Sequence, residues 1–264
     1  MAVDEAKWVE VLKEIKHILD DAGVKWWLEW GTLLGAVRDG KFIPWDTDID
    51  LGMMCAEGCK VIARIEEFEK KGFKVDVTDT RFCISCDYVT VNVTLYRTKG
   101  DLAYDVYEKK APRFKRIMGY FSMIAERIIY KKYLVKRKNQ LRMEKIVLTV
   151  IPSFASHAIR KFLFRVYEWF GAEYCAFVVP KFYYETLDSI SFYGMTFSVP
   201  SHVHEYLSLW YGEGWREPDQ NWSGFYPFHV SDTGTDKYRL IDPSFDIGKR
   251  EELSVFKCLK EEQD

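Results

Sequence analysis

The sequence predicts an α+β fold: a small mixed sheet with flanking helices and a basic helical insertion. Three observations predict it. Apolar residues recur at helical spacing near the N-terminus and again over residues 56–71. Runs rich in β-branched and aromatic residues, bounded by Gly and Asp, stand between and after them and read as strands. The charge pattern then changes at Lys109. Residues 109–165 hold 16 Lys and Arg against 2 Asp and Glu, leaving 22 against 38 in the remainder, so a formal net charge of −2 conceals two opposite regions. A length of 264 residues suffices for one large domain, or for one domain with an insertion. The expected organisation is a core over 1–108 that carries the functional residues, the insertion over 109–172, and a C-terminal part over 173–264 that completes the core and covers the site.

Taken in order, Trp8, Leu12, Ile15 and Leu19 form a helical stripe that Gly23 ends. Residues 24–30 read as the first strand. A short helix follows Gly31-Thr32, and Asp39-Gly40 is a turn. Residues 56–71 read as a helix with Val61, Ile62, Ile65 and Phe68 inward, stopped by Gly72. Residues 73–77 and 81–96 read as strands, the second as one strand or two. Within it, Val89, Val91, Val93 and Leu95 share one face, and Thr90, Asn92 and Thr94 the other. Residues 186–199 read as two short strands around Gly194. Pro200-Ser201 opens a helix with Ser201 as its N-cap, and Tyr206, Leu207 and Trp210 lie along it before Tyr211-Gly212. Beyond residue 220, Trp222, Phe225, Tyr226, Phe228 and His229 read as a cover over the site. Aromatic faces there suit a quaternary ammonium, although aromatic-rich stretches more often serve as core.

The stretch that organises the chain is Trp30-Gly31-Thr32-Leu33-Leu34-Gly35-Ala36-Val37-Arg38, followed by Ile43-Pro44-Trp45-Asp46-Thr47-Asp48-Ile49-Asp50-Leu51. On a strand, side chains at alternate positions share a face, so Asp46, Asp48 and Asp50 are expected to converge. Crowded carboxylates repel unless a cation or a shared proton compensates. Hard oxygen ligands suit Mg²⁺ or Mn²⁺. Upstream, the Gly31-Thr32 turn at a helix N-terminus offers backbone N–H groups to a phosphate. Arg38, about two turns on, offers a guanidinium fork to the same anion. A phosphate cradle beside a metal site is the equipment of phosphoryl transfer.

Simpler readings explain fewer of these residues. Three acids in five residues could be a solvated turn, but these are interleaved with Ile49 and Leu51 and follow an apolar run. A calcium loop starting at Asp46 would place Glu57 twelfth, yet its sixth position, which needs Gly, is Leu51. A sugar-nucleotide glycosyltransferase also uses an Asp-any-Asp metal site, but leaves the Gly-Thr turn unexplained.

The stretch from Trp26 to Met53 resembles, without a gap, the signature of the LicD family, carried by Gly-Thr-Leu-Leu-Gly-Ala-Val-Arg and by Gly40 to Asp50. A weaker echo lies between Pro200 and Pro218, where the family has a Tyr-Leu…Tyr-Gly pattern; between the two, resemblance is thin. The family includes bacterial phosphocholine transferases and the fukutin-related ribitol-phosphate transferases. The resemblance implies a nucleotidyltransferase-like fold. It also implies transfer of a phosphorylated small alcohol from a CDP-linked donor to a glycan or glycolipid hydroxyl, with CMP leaving. Asp46, Asp48 and Asp50 would be the metal ligands, Asp48 and Asp50 the catalytic acids, and Gly31, Thr32 and Arg38 the phosphate binders. The family places a further acid on the strand where this chain has Asn92. An amide can ligate through its oxygen but adds no charge and cannot act as a base. Asp76, Asp87 or Asp105 are candidates to replace that carboxylate. The rival functions are nucleotidyl transfer and a catalytically silent nucleotide-binding module.

The opening residues do not read as a signal peptide, and no uninterrupted apolar run reaches 18 residues, so a cytoplasmic protein with six reduced cysteines is expected. Cys55, Cys59, Cys83 and Cys86 have conceivable zinc spacing. However, Cys83 and Cys86 on one strand would face opposite sides. His202 and His204 diverge on a helix and do not read as a ligand pair. The basic region reads equally as a helical subdomain with a solvated face or as an interfacial segment that contacts anionic membrane. No nucleic-acid motif accompanies the charge, so no nucleic-acid partner is expected.

Overall fold

The structure, a computed structural model, describes residues 4–77, 81–108, 174–220, 241–242 and 245. The chain divides into two compact units, Met1–Asp105 with Ala176–Asp264, and Val106–Cys175. The basic stretch 109–165 and the aromatic cover at 222–229 lie outside the described residues. No helix among the described residues is long and apolar enough to cross a membrane.

The elements are α1 (Glu5–Asp21), β1 (Trp26–Leu28), α2 (Trp30–Arg38), β2 (Asp48–Met54), a 3₁₀ turn (Cys55–Glu57), α3 (Gly58–Ala63), α4 (Ile65–Lys70), β3 (Lys74–Val77), β4 (Arg81–Ser85), β5 (Thr90–Lys99), β6 (Leu102–Glu108), β7 (Tyr174–Pro180), α5 (Phe182–Glu185), β8 (Leu187–Phe192), β9 (Met195–Pro200), α6 (Val203–Tyr211) and β10 (Ile241–Asp242). The main sheet runs β1-β2-β5-β6-β7-β10, with β4 also paired to β5 and β3 to β4. Strand β2 is parallel to β5 and antiparallel to β1; β4 is antiparallel to both β3 and β5. A mixed sheet with flanking helices is therefore what forms.

The alternation of β2 and β5 divides the sheet chemically. Ile49, Leu51 and Met53 pair with Val91, Val93 and Leu95, and Phe82, Ile84 and Val75 continue the row; none is more than 1% exposed. Helix α1 buries Trp8, Val11, Leu12, Ile15, Ile18 and Leu19 and packs on α4, which packs on β3. Each such aliphatic or aromatic side chain contributes about 1.5–3 kcal/mol by leaving water. The opposite face carries Asp48, Asp50 and Gly52 beside Thr90, Asn92 and Thr94.

Several local readings are corrected. Asp46 is not on the strand. Its N–H donates to Ile43 O at 3.0 Å, closing a turn with Pro44 second, the position proline prefers. Only Asp48 and Asp50 owe their common face to strand alternation. Gly31 and Thr32 lie inside the first turn of α2 rather than before it. The helix expected over 56–71 breaks at Arg64 into α3 and α4. Ser201 does not cap α6: its hydroxyl donates to Phe182 O at 3.1 Å, and His202, left-handed at φ 53°, precedes the helix. Strands β6 and β7 were not anticipated. The hairpin β8–β9 does turn at Gly194, with Tyr193 and Gly194 at φ 50° and 74°, the pair of positive values a two-residue turn needs. Cys59 is disulfide-bonded, which overturns the expectation of six reduced thiols.

Candidate active site

The site lies where the first turn of α2 meets the N-terminal end of β2. Glu29 is the N-cap of α2, its side chain accepting from Trp30 N at 3.3 Å. Trp30 is left-handed at φ 44°, a conformation that costs a bulky residue about 1–3 kcal/mol and persists only where surroundings enforce it. Thr32, fully buried, accepts the N–H of Asp50 at 2.8 Å, and Glu29 N–H donates to Asp50 O at 3.1 Å. The glycine-threonine turn is thus bonded to the strand of acids.

Gly31 explains itself by what a side chain there would meet. A methyl group would collide with Asp46 Oδ2 and stand 3.7 Å from Asp50 Oδ2. Two carboxylates from separate segments therefore converge on the bare backbone of α2. The Gly31 N–H, close to the Asp50 carboxyl, favours its anion. Burial first, and then the charges of Asp48, Asp46 and Glu29, push the Asp50 carboxyl well above its usual range. Burial and the neighbouring Asp48 push Asp46 up to about 6. Asp48 Oδ2 accepts from Asn92 Nδ2 at 2.5 Å. The Asn92 side chain thus faces the acids, as the strand alternation required.

Among the described residues no three His, Cys, Asp or Glu side chains already form a metal cage, and no zinc set assembles from the cysteines. The acids fit a hard divalent cation by their chemistry instead. They are oxygens whose ionised form burial disfavours first and mutual repulsion second, and a cation would relieve that repulsion.

Arg38 ends α2, about 12 Å along the helix from Trp30. Its guanidinium pairs with Asp39, Nη2 to Oδ2 at 2.8 Å, and its side chain is 8% exposed. The three candidates for the acid missing at Asn92 fall in different places. Asp76 pairs with Cys83, which pairs with Asn92, so it lies two strands from Asn92, roughly 10 Å. Asp87 is exposed in the turn before β5. Asp105 is buried on β6, beside the far end of β5.

Two parts of the site were not found in the sequence. Glu29 is completely buried, its Oε2 accepting from Trp27 Nε1 at 2.6 Å and its Oε1 from Tyr206 OH at 2.6 Å. Burial pushes its carboxyl up to about 7 against these donors. Gly52 leaves room for this: a methyl there would strike Trp27 and lie 2.8 Å from Glu29 Oε2. Tyr211, at the end of α6, has its phenol pushed up by burial and then by Asp50, Glu29 and Asp46, while Arg38 pulls it down; it lies within range of the charges of the acids and Arg38. The available signal was the Tyr-Leu…Tyr-Gly pattern, whose two tyrosines are Tyr206 and Tyr211.

Comparison with known proteins places part of the chain in a family. Residues 23–152 match the family described as LicD/FKTN/FKRP, nucleotidyltransferase domain. The ribitol 5-phosphate transferase FKRP of Homo sapiens is 52% identical over 44 residues, 17% of this chain and 9% of that one. The chain thus spans about a tenth of the length of this curated relative. The lipopolysaccharide cholinephosphotransferase LicD of Haemophilus influenzae is 23% identical over 220 residues, 72% of this chain and 82% of that one. Among solved structures, the lincomycin-bound lincosamide adenylyltransferase LnuA aligns at 13% identity with a TM-score of 0.38, over 80% of this chain and 87% of that one.

Proposed function

Residues 23–152 of this chain belong to the LicD/FKTN/FKRP nucleotidyltransferase domain family, and from that premise we propose that the protein transfers a phosphorylated small alcohol, phosphocholine or a phospho-alditol, from a CDP-linked donor to a glycan or glycolipid hydroxyl, releasing CMP. The observation that carries this reading is the convergence of Asp46 and Asp50 on Gly31, with Asp48 beside them on β2. Support for the substrate class comes from the relatives, one a ribitol 5-phosphate transferase and one a cholinephosphotransferase.

In this reading Asp46, Asp48 and Asp50 hold Mg²⁺ or Mn²⁺, which when bound neutralises diphosphate charge and stabilises the leaving CMP. The donor phosphates lie against the first turn of α2 at Gly31 and Thr32, with Arg38 as the nearby cation. Asp48 fixes the acid cluster through its bond with Asn92. Asp50, on the same face of β2 as Asp48, takes the proton of the acceptor hydroxyl. A panel of CDP-choline, CDP-ethanolamine, CDP-glycerol and CDP-ribitol, scored for CMP release with and without Mg²⁺, tests the reading; no release from any donor overturns it. Product mass separates it from nucleotidyl transfer.

Asn92 favours a second reading, a nucleotide-binding module without turnover, because an amide stands where the family has a carboxylate. CMP binding without CMP release in the same panel would support it. We also propose that residues 109–165 make a peripheral contact with anionic membrane. Equal co-sedimentation with neutral and anionic vesicles would refute that contact.

A further inference from the structure

We propose that Glu29 is a positioning residue that locks the first turn of α2 and helix α6 to the acid-bearing strand, so that the site is set by a buried carboxylate that touches no substrate. This rests on the reading of the acid face as the site of reaction.

Every group around the Glu29 carboxylate is a donor. Trp27 Nε1 takes Oε2; Tyr206 OH and Trp30 N–H take Oε1. Only an acceptor-only side chain satisfies all three, and a carboxylate is the one available. Since Tyr206 gives its proton to Glu29, Tyr184 must donate to Tyr206, at 2.7 Å. Hydrogen bonds therefore run from Tyr184 through Tyr206 to Glu29. All three side chains are at most 4% exposed, and Trp27 stacks on Tyr184 at 4.7 Å. Gly52 excludes any Cβ that would close the space.

One line leads from this carboxylate toward the acids: its bond to Trp30 N–H holds the left-handed residue that starts α2, and the next residue, Gly31, is the one against which the Asp46 and Asp50 carboxylates stand. The backbone adds a tie of its own, the Glu29 N–H donating to Asp50 O. A second line leads from the carboxylate through Tyr206 to α6, which carries Tyr211 further on. A purely stabilising core network would have no reason to end on the backbone of the two residues that flank the site.

Glu29→Gln separates the roles. Its amide oxygen still accepts from Trp27, and its NH₂ donates to the Tyr206 oxygen, but it opposes a donor to Trp30 N–H. Tyr206→Phe cuts the tie to α6 and takes the acceptor from Tyr184, while the Glu29 bonds to Trp27 and Trp30 remain. Hydrogen exchange read by mass spectrometry needs no substrate. We expect residues 30–34 to exchange at least tenfold faster in Glu29→Gln, and residues 203–211 in Tyr206→Phe, with α1 unchanged in both. In CMP release, each variant should lose at least tenfold in kcat with KM for the donor within threefold, measured well below its melting temperature. Equal acceleration in α1, or unchanged exchange in the named segments, overturns the proposal. Normal kcat per folded molecule also overturns it. If the unaltered protein releases no CMP from any donor, the functional reading has failed, and the exchange pattern alone decides the positioning claim.

Discussion

Asn92 Nδ2 donates to Asp48 Oδ2 at 2.5 Å, across the parallel pair β2 and β5. The amide therefore acts as a neutral partner that spares Asp48 a third repelling neighbour. Asn92→Asp replaces this donor with an acceptor facing an acceptor. Without metal it should lose about 1–3 kcal/mol of stability, seen as a lower Tm in EDTA. With Mg²⁺ the loss should reverse, and titration calorimetry with CMP present should show tighter Mg²⁺ binding. Unchanged affinity would mean that Asn92 does not serve the metal.

Asp48→Asn and Asp50→Asn should each abolish CMP release. Because Asp50 is destabilised as an anion, Asp50→Asn should melt at or above the temperature of the unaltered protein in EDTA. Full activity in either variant, or in EDTA, refutes metal dependence through these acids.

The raised carboxyls fix a pH dependence. Asp46 ionises near 6 when folded but near 3.8 when unfolded, and Glu29 near 7 against 4.5. For an acid whose pKa is raised by folding, the stability it contributes is full at low pH and is lost as pH rises through the folded pKa. In EDTA, Tm should therefore fall between about pH 4 and pH 7. Asp46→Asn should flatten the part between about 4 and 6. An unchanged slope in that variant would show Asp46 to be solvated.

Gly31→Ala should cost activity more than stability. The added methyl must displace the Asp46 carboxylate, a side chain able to move, while α2 gains a better helix former. Loss of CMP release with Tm within about 3 °C is expected. Gly52→Ala meets Trp27 and Glu29, which cannot move together, and should lose about 1–3 kcal/mol.

Thr32→Val leaves the buried Asp50 N–H without an acceptor and should cost about 1–3 kcal/mol in a denaturant titration. Thr32→Ser keeps the oxygen and should recover most of it. Equal losses in both would mean that the methyl, not the hydroxyl, carries the effect.

Much of this was legible in the sequence because it depends on local periodicity. The common face of Asp48 and Asp50 and the β8–β9 turn follow from strand alternation and turn chemistry; residues 81–96 read as one strand or two, and alternation put Asn92 with Thr90 and Thr94 while the family resemblance turned that face to the acids. Asp46 was misplaced because a proline turn ends alternation before the strand starts. Ser201 was misread because its hydroxyl satisfies a carbonyl distant in sequence, a demand no local rule reveals. Glu29 and Tyr211 were missed for the same reason. Nothing in the residues around Glu29 announces that its donors include a tyrosine 177 positions away.

That separation has a consequence for synthesis. When the ribosome has made β1, α2 and β2, the Glu29 carboxylate lacks its tyrosine, which lies 152 residues beyond Met54. At about 10 residues per second this takes roughly 15 s. For most of that time the nascent chain holds Trp27 and Tyr96 without the Tyr184 ring that later packs on both, and Tyr206, which packs on Tyr184, comes later still. A chain that stops before Tyr206 ends with a carboxylate in an unfinished aromatic pocket. Truncated products should therefore be recognised by quality control as sticky fragments and cleared.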